Sequence, residues 1–311
     1  MRQRQQWQRQ RQQQYVEVAP GTKLWTERRG DPEAPALLLI MGAQASGLGW
    51  PDTLADDLAT RHQVIRYDHR DTGRSTSTFD QHPYPITDLA QDVVAVLDAL
   101  GVKRAHLVGM SLGGMLTQLV LADHPERVLS ATLIGTCALS DTPYAAPDGT
   151  EVPVAELPGI APEVLELWSR PVEDAGLEAE LDRRVEHWRV LNGRQLDADG
   201  VNDADDAYFR DLERRIIEHT GTHTASTAHA RADDSHMLRT GALAETKVPT
   251  LVVSAPAEPV FPPPHPHHLA QVVGGGTAHL VEIPGMGHAL PPAVQGPLAE
   301  AILTHTASVR P

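Results

Sequence analysis

The strongest constraint on the fold is an apolar run that stops at a serine flanked by glycines. Residues 106–110 are mostly apolar, the pattern Gly-Met-Ser-Leu-Gly occupies residues 109–113, and a helical pattern begins directly afterwards. In the nucleophile elbow G-x-S-x-G, a serine occupies a strained turn between a strand and a helix, and the glycines keep side chains out of a close contact. The segment therefore predicts a strand, a tight turn and a helix, with Ser111 as a candidate nucleophile.

Strand and helix patterns alternate on both sides of this turn. Residues 36–41 are a continuous apolar run, which is typical of a strand buried on both faces of a parallel sheet, and a further strand pattern follows at residues 249–254. Residues 86–100 carry an apolar stripe with helical spacing, and residues 23–27 are typical of an edge strand. These patterns predict an α/β fold with a mostly parallel central sheet flanked by helices.

The middle of the chain breaks this alternation. At 311 residues the chain is long enough for two small domains or for one large domain with an insertion. Acidic, helix-like stretches replace the strand patterns after about residue 140. We therefore predict a core of residues 15–139 and 241–311, interrupted by a helical cap over residues 140–240. Residues 1–14, rich in Gln and Arg, are predicted to be a disordered tail, with a tether to nucleic acid or to a partner as the alternative.

Composition excludes several classes of partner. The net charge of −15 argues against binding to nucleic acid or to an anionic membrane, because both need a basic surface. No apolar run approaches the roughly 18 residues of a membrane span. The single cysteine, Cys137, cannot form an internal disulfide, which fits a cytoplasmic protein. The sequence leaves a homo-oligomer open.

A serine hydroxyl needs a base within hydrogen-bond reach, and the base needs an acid that orients it. In this architecture the three groups follow the chain order serine, acid, histidine. His288 comes directly after the last strand pattern, and Glu258 is the only carboxylate in the loop after residues 249–254. We expect Ser111, Glu258 and His288 to form a catalytic triad, with Asp141 as the alternative acid.

The remaining catalytic requirement is a pair of backbone N–H groups for the oxyanion. Leu112, the residue after the serine, and Ala43, in the loop after residues 36–41, are the expected donors. Trp168 and Trp188 of the cap are candidate apolar walls of the substrate pocket. The alternative for both tryptophans is simple packing between cap helices.

Two polar segments need separate interpretations. Residues 68–75, Asp-His-Arg-Asp-Thr-Gly-Arg-Ser, could be a second active site, but a hydrogen-bonded turn that braces the sheet is favoured. His265, His267 and His268 are close in sequence and could bind a metal ion. Their proline-rich run lacks the helical i, i+4 spacing, so we predict a solvated loop and no metal site. No cofactor is expected.

Five motifs in order resemble those of the α/β-hydrolase fold, and this resemblance covers nearly all of the chain outside the tail. They are Met41-Gly42, residues 68–75, the Ser111 turn, Glu258-Pro259 and Gly287-His288.

Within this fold, the chain is similar to esterases of the aclacinomycin methylesterase type. The similar stretches are residues 37–42, 49–51, 64–76, 82–84, 188–189, 283–291 and 296–300.

The resemblance implies an enzyme that removes a methyl ester from an aromatic polyketide beneath a helical cap. It assigns Ser111, Glu258 and His288 to the triad, and Ala43 and Leu112 to the oxyanion site. The family usually has aspartate where Glu258 stands and a second glycine where Ala43 stands.

The sequence thus predicts a serine-dependent hydrolase that acts on a small-molecule carboxylic ester through an acyl-enzyme. Two alternatives remain. One is a cofactor-free lyase or oxygen chemistry on the same triad, and the other is a catalytically silent small-molecule binding protein.

Overall fold

A computed structural model describes residues 11–170, 176–193 and 203–309 of the protein. The strands are β1 (Gln12–Ala19), β2 (Thr22–Arg29), β3 (Ala36–Ile40), β4 (Gln63–Tyr67), β5 (Ala105–Met110), β6 (Val128–Ile134), β7 (Tyr144–Ala145), β8 (Glu151–Val152), β9 (Thr250–Ser254) and β10 (His279–Glu282). The helices are α1 (Asp52–Leu58), α2 (Ile86–Ala99), α3 (Leu112–Asp123), α4 (Pro162–Ser169), α5 (Leu177–Leu191), α6 (Asp203–Thr220), α7 (Ala228–Arg231), α8 (Thr240–Glu245), α9 (His265–Val272) and α10 (Pro292–Ala307).

Eight strands form one sheet in the order β1-β2-β4-β3-β5-β6-β9-β10. Strands β1, β2 and β4 pair antiparallel, and the pairs from β4 to β10 are parallel. The predicted α/β fold with a mostly parallel sheet is therefore confirmed. Strands β7 and β8 form a separate two-stranded hairpin within the 140–240 segment.

Helices cover both faces of the sheet, and this explains the continuous apolar runs of the central strands. In β3, Leu38 packs in a cluster with α2 and α3, whereas its neighbour Leu37 packs in a second cluster with α1 and α10. Because successive side chains point to opposite faces, each residue of such a strand faces an apolar layer. Strand β5 lies between β3 and β6, so its end is near the middle of the sheet.

The N-terminal end of the sheet differs from the sequence prediction. Gln12, Gln13 and Gln14 belong to β1 and pair with β2, so the disordered tail predicted for residues 1–14 is wrong at these positions. Residues 1–10 lie outside the described residues. Strand β2 is consequently internal and not an edge strand. Polar side chains do not prevent pairing at a solvated edge, because the backbone makes the bonds; Gln13 also hydrogen-bonds Glu27 across the pair.

The segment between β6 and β9 contains the five helices α4 to α8 among the described residues. Val185 of α5 packs with Phe209 and Leu212 of α6, and Trp188 stacks on Phe209 with ring centroids 5.2 Å apart. This helical content agrees with the predicted cap, whose boundaries at residues 140 and 240 remain a prediction. None of the helices in the described ranges is long and apolar enough to cross a membrane.

Three buried histidines lie together between the sheet and α10. The rings of His62 and His106 meet edge to face at 5.1 Å, and His106 Nδ1 is 2.8 Å from the Ser130 hydroxyl. Burial, followed by repulsion from His62 and His305, lowers the pKa of His106 to about 3. Burial also lowers the pKa values of His62 and His305.

We predict that the free energy of unfolding falls as the pH drops from about 6.5 toward 3. The unfolded chain binds protons on these histidines near pH 6.5, whereas the folded chain does so only at lower pH, so each group contributes up to about 1.4 kcal/mol per pH unit. Urea unfolding of His106→Asn at pH 7, 6 and 5 should show a shallower pH dependence than the parent protein. The exposed His82→Asn variant is the control, and an equal change in both would contradict the prediction.

Candidate active site

Ser111 sits in a strained turn where β5 ends and α3 begins. Its φ of 56° and ψ of −122° lie in a region that residues with a side chain rarely adopt. The Ser111 N–H donates to the Ile134 carbonyl at 2.9 Å, which ties the turn to the end of β6. A Cβ on Gly113 would clash with the Ile40 carbonyl, and one on Gly109 would clash with the Gly113 carbonyl. The glycines thus allow strand and helix to approach closely, as the sequence pattern predicts.

His288 and Glu258 form a buried pair. His288 Nδ1 is 2.8 Å from each carboxylate oxygen of Glu258. A carboxylate only accepts, so Nδ1 carries the proton in the neutral ring and Nε2 is left as the basic nitrogen. Glu258 Oε1 also accepts the N–H groups of Val260 at 2.8 Å and Phe261 at 3.3 Å.

Electrostatics keep Glu258 ionised in this buried position. Burial acts to raise the pKa of the Glu258 carboxyl, but the charge and hydrogen bond of His288 and the two backbone N–H donors outweigh burial. Together they lower the pKa below the usual value of a glutamate. An ionised carboxylate at this position can orient the imidazole and stabilise an imidazolium.

The end of β6 lies beside both the turn and the pair. Gly135 follows Ile134 with φ of +52°, and a Cβ there would come within 2.9 Å of Glu258 Oε2 and 3.0 Å of His288 Nδ1. Consecutive residues of this strand end therefore contact the Ser111 backbone and the His288–Glu258 pair. The Ser111 hydroxyl makes no hydrogen bond within the described part of the chain, so its contact with His288 remains a prediction.

The expected oxyanion donors lie on either side of Ser111. Leu112 is the first residue of α3, where a backbone N–H has no partner within the helix. The other loop follows β3, and a Cβ on Gly42 would lie 3.3 Å from the Ser111 Cβ, so Ala43 is one residue from this contact. Both residues are near the turn, and their role as donors remains a prediction.

The C-terminal end of α5 packs directly against the loops that carry Glu258 and His288. The His288 N–H donates to the Leu191 carbonyl at 2.6 Å. A Cβ on Gly287 would clash with the Asn192 backbone, and a Cβ on Gly193 would clash with the Ala257 carbonyl. The sequence predicts none of these contacts, although Gly193, just after the helical pattern, is a local signal of a close backbone approach.

The two predicted tryptophans have different surroundings. Trp188 is half-buried, stacks on Phe209 and donates its indole N–H to Glu213 at 2.7 Å. Trp168 is 48% exposed and donates its indole N–H to His187 Nε2 at 3.0 Å. The contacts of Trp188 agree with packing between cap helices, and a role as pocket walls remains a prediction for both.

The alternative acid, Asp141, is not a hydrogen-bond partner of His288 within the described residues. It is exposed, and its carboxylate accepts the Thr240 hydroxyl at 2.6 Å. Residues 68–75 serve as the predicted structural turn, because Asp68 accepts the hydroxyl of Ser46 at 2.6 Å and the N–H groups of Gly47 and Arg74 at 2.8 Å. His219 Nε2 also lies 2.7 Å from Asp68 Oδ2, within hydrogen-bond distance.

The solvated loop predicted for the histidine-rich segment is wrong. His265 begins α9, and Pro266 occupies the first helical turn, where a proline removes no helical hydrogen bond. His268 is buried against the Thr142 carbonyl at 2.7 Å, whereas His267 is exposed. Within residues 11–170, 176–193 and 203–309, no group of three or more side chains is arranged to hold a metal ion.

Comparison with known proteins decides the family. A model of the alpha/beta hydrolase fold family matches residues 35–291. The chain belongs to this family. It is 43% identical over 289 residues to the rhodomycin D methylesterase DauP of Streptomyces sp. (strain C5), covering 91% of this chain and 94% of the relative. The rhodomycin D methylesterase DnrP of Streptomyces peucetius is also 43% identical, with the same coverage.

A solved structure supports the same fold. The esterase RhEst1 from Rhodococcus sp. ECU1013 has a TM-score of 0.71 at 20% identity and covers 96% of this chain and 99% of its own. At this identity the likeness concerns the fold alone. The family match and the methylesterase relatives together identify the chain as a hydrolase enzyme of the esterase type.

We predict that Glu258 and not Asp141 supports the reaction. In Glu258→Gln, the amide removes the charge and can donate to Nδ1, which favours the wrong histidine tautomer, so kcat should fall about 10³- to 10⁴-fold. Glu258→Asp keeps the charge but shortens the side chain, and it should lose less. Steady-state kinetics on a chromogenic ester would measure both losses.

Asp141→Asn is the matched control and should retain full activity. Within the described residues, the Asp141 carboxylate accepts a hydrogen bond from the Thr240 hydroxyl and from no other group. A loss in Asp141→Asn as large as that in Glu258→Gln would contradict the assignment. Thermal unfolding of each variant would separate a loss of activity from a loss of fold.

Proposed function

We propose that the protein is a serine-dependent carboxylic ester hydrolase that works through an acyl-enzyme. Ser111 Oγ attacks the ester carbonyl while His288 Nε2 takes its proton, and the N–H groups of Ala43 and Leu112 stabilise the oxyanion. His288 then protonates the departing alcohol. A water molecule then gives a proton to His288 and attacks the acyl carbonyl, and His288 returns the proton to Ser111 Oγ as the carboxylic acid leaves.

The His288–Glu258 pair is the observation that carries this proposal. Its geometry leaves Nε2 unprotonated in the neutral ring, and Glu258 can stabilise the imidazolium that forms when Nε2 accepts the Ser111 proton. Gly135 lies against this pair while the preceding residue, Ile134, holds the Ser111 backbone. Such a neighbourhood supplies the base and its orienting acid close to the nucleophile.

We further propose that the substrate is an apolar or polyketide-like methyl ester. Two relatives that span nearly the whole chain are named rhodomycin D methylesterases, which supports this substrate class. The cap segment also carries stacked aromatic side chains, His187, Trp188 and Phe209, on helices that adjoin the His288 loop. Phe209 is buried beneath Trp188, so the partly exposed His187 and Trp188 are the members of this group that can contact a planar ring system.

Incubation with a serine-directed phosphonate, followed by intact-mass measurement, tests the nucleophile. We expect one adduct on the parent protein and none on Ser111→Ala. A folded parent protein that forms no adduct would contradict the esterase mechanism, and turnover without an adduct would instead favour lyase or oxygen chemistry.

Substrate class requires a separate comparison. Methyl esters of planar polyketides should give a higher kcat/KM than methyl esters of short alkyl acids. The reverse order would leave the serine mechanism intact and overturn the substrate proposal. Including methyl benzoate separates a need for one aromatic ring from a need for an extended ring system.

A further inference from the structure

The loop that carries Ala43 is held by a histidine 185 residues away in sequence. His229, in α7, accepts the N–H of Gln44 on Nδ1 at 2.9 Å. Its Nε2 lies 3.0 Å from the Arg70 carbonyl. We propose that His229 is a positioning residue that fixes the oxyanion loop; this inference rests on the proposed function, in which Ala43 is an oxyanion donor.

The two contacts fix both the charge and the tautomer of His229. A backbone N–H can only donate, so Nδ1 must be unprotonated, and a carbonyl can only accept, so Nε2 must carry the hydrogen. His229 is buried, and burial lowers its pKa although the bond to Arg70 acts in the opposite direction. The neutral ring therefore accepts a hydrogen bond from the loop and donates one to the Arg70 carbonyl in the turn of residues 68–75.

A second histidine holds the other side of the same loop. His69 Nε2 lies 2.9 Å from the Met41 carbonyl and donates its hydrogen to it. Burial, followed by the neighbouring His229, lowers the pKa of His69 to about 4, and the two rings meet edge to face at 5.6 Å. Ala43 thus lies between two backbone groups, Met41 C=O and Gln44 N–H, each of which a buried imidazole holds.

The loop needs such support because its conformation is strained. Gln44 has a φ of 61°, in the left-handed region that residues with a side chain rarely adopt. Without the bond to His229, the peptide between Ala43 and Gln44 could rotate toward a relaxed conformation. The Ala43 N–H would then turn away from the oxyanion position, and the ester would still bind while transition-state stabilisation declined.

Three substitutions separate the two hydrogen bonds of His229. Asparagine places an oxygen near the Nδ1 position and can accept the Gln44 N–H, whereas glutamine places its amide near the Nε2 position and can keep only the Arg70 contact. Leucine keeps neither. We expect kcat to fall about 10- to 100-fold in His229→Gln and His229→Leu with KM within about twofold, and to stay within about threefold of the parent in His229→Asn.

Equal kcat losses in all three variants would overturn the proposal, since they would show that burial of the ring and not the Gln44 bond matters. Unchanged kcat in His229→Gln would overturn it as well. If His229→Leu does not fold, the comparison of asparagine with glutamine still decides the outcome. A parent protein without ester turnover or phosphonate adduct would instead refute the proposed function, so the two failures are distinguishable.

Discussion

The backbone of Ser111 can keep its left-handed conformation only while β5, α3 and the end of β6 remain in contact around it. A residue in such a region costs on the order of 1–3 kcal/mol, which the surrounding packing must offset. The bond from the Ser111 N–H to Ile134 and the close contact of Gly113 with Ile40 supply that constraint. Because three neighbouring strands of the parallel sheet, β3, β5 and β6, end at this point, their loops converge on one serine.

The histidines near the Ser111 turn differ in the groups that their ring nitrogens contact. His288 faces a carboxylate, which can stabilise a positive charge on the ring. The hydrogen bonds of the His69 and His229 rings go to backbone groups, and burial lowers both of their pKa values although Asp68 and Asp71 act in the opposite direction. His288 is therefore a candidate base, with a carboxylate on one ring nitrogen and no hydrogen bond to the other in the described part of the chain, whereas His229 has both ring nitrogens engaged by backbone groups.

The sequence predicted the layers of the fold and the segments of the candidate site, because both depend on local patterns. Each apolar run, and the Gly-x-Ser-x-Gly turn, is defined by a few consecutive residues. Strand β1 was missed since its pairing depends on backbone groups and its glutamines look like a solvated tail. Helix α9 was missed because a proline that begins a helix was interpreted as a sign of a loop.

Contacts between distant segments could not be predicted from one sequence. The bond between Gln44 and His229 joins a loop of the core to a short helix far along the chain, and no periodicity or spacing connects them. The bond from His288 to Leu191 is of the same kind. Such pairs arise from the tertiary arrangement and carry no local signal except an occasional glycine.

The contacts of Gly193 and Gly287 limit how this enzyme can be re-engineered. Exchange of the whole cap with that of another esterase is an obvious route to a new substrate range, but the end of α5 is also part of the support for the acid and base loops. A transplanted cap would have to preserve the backbone path of residues 191–193. Under the proposed function, residues 191–193 would serve both the cap and the loops of Glu258 and His288, so the cap could not be exchanged independently of these loops.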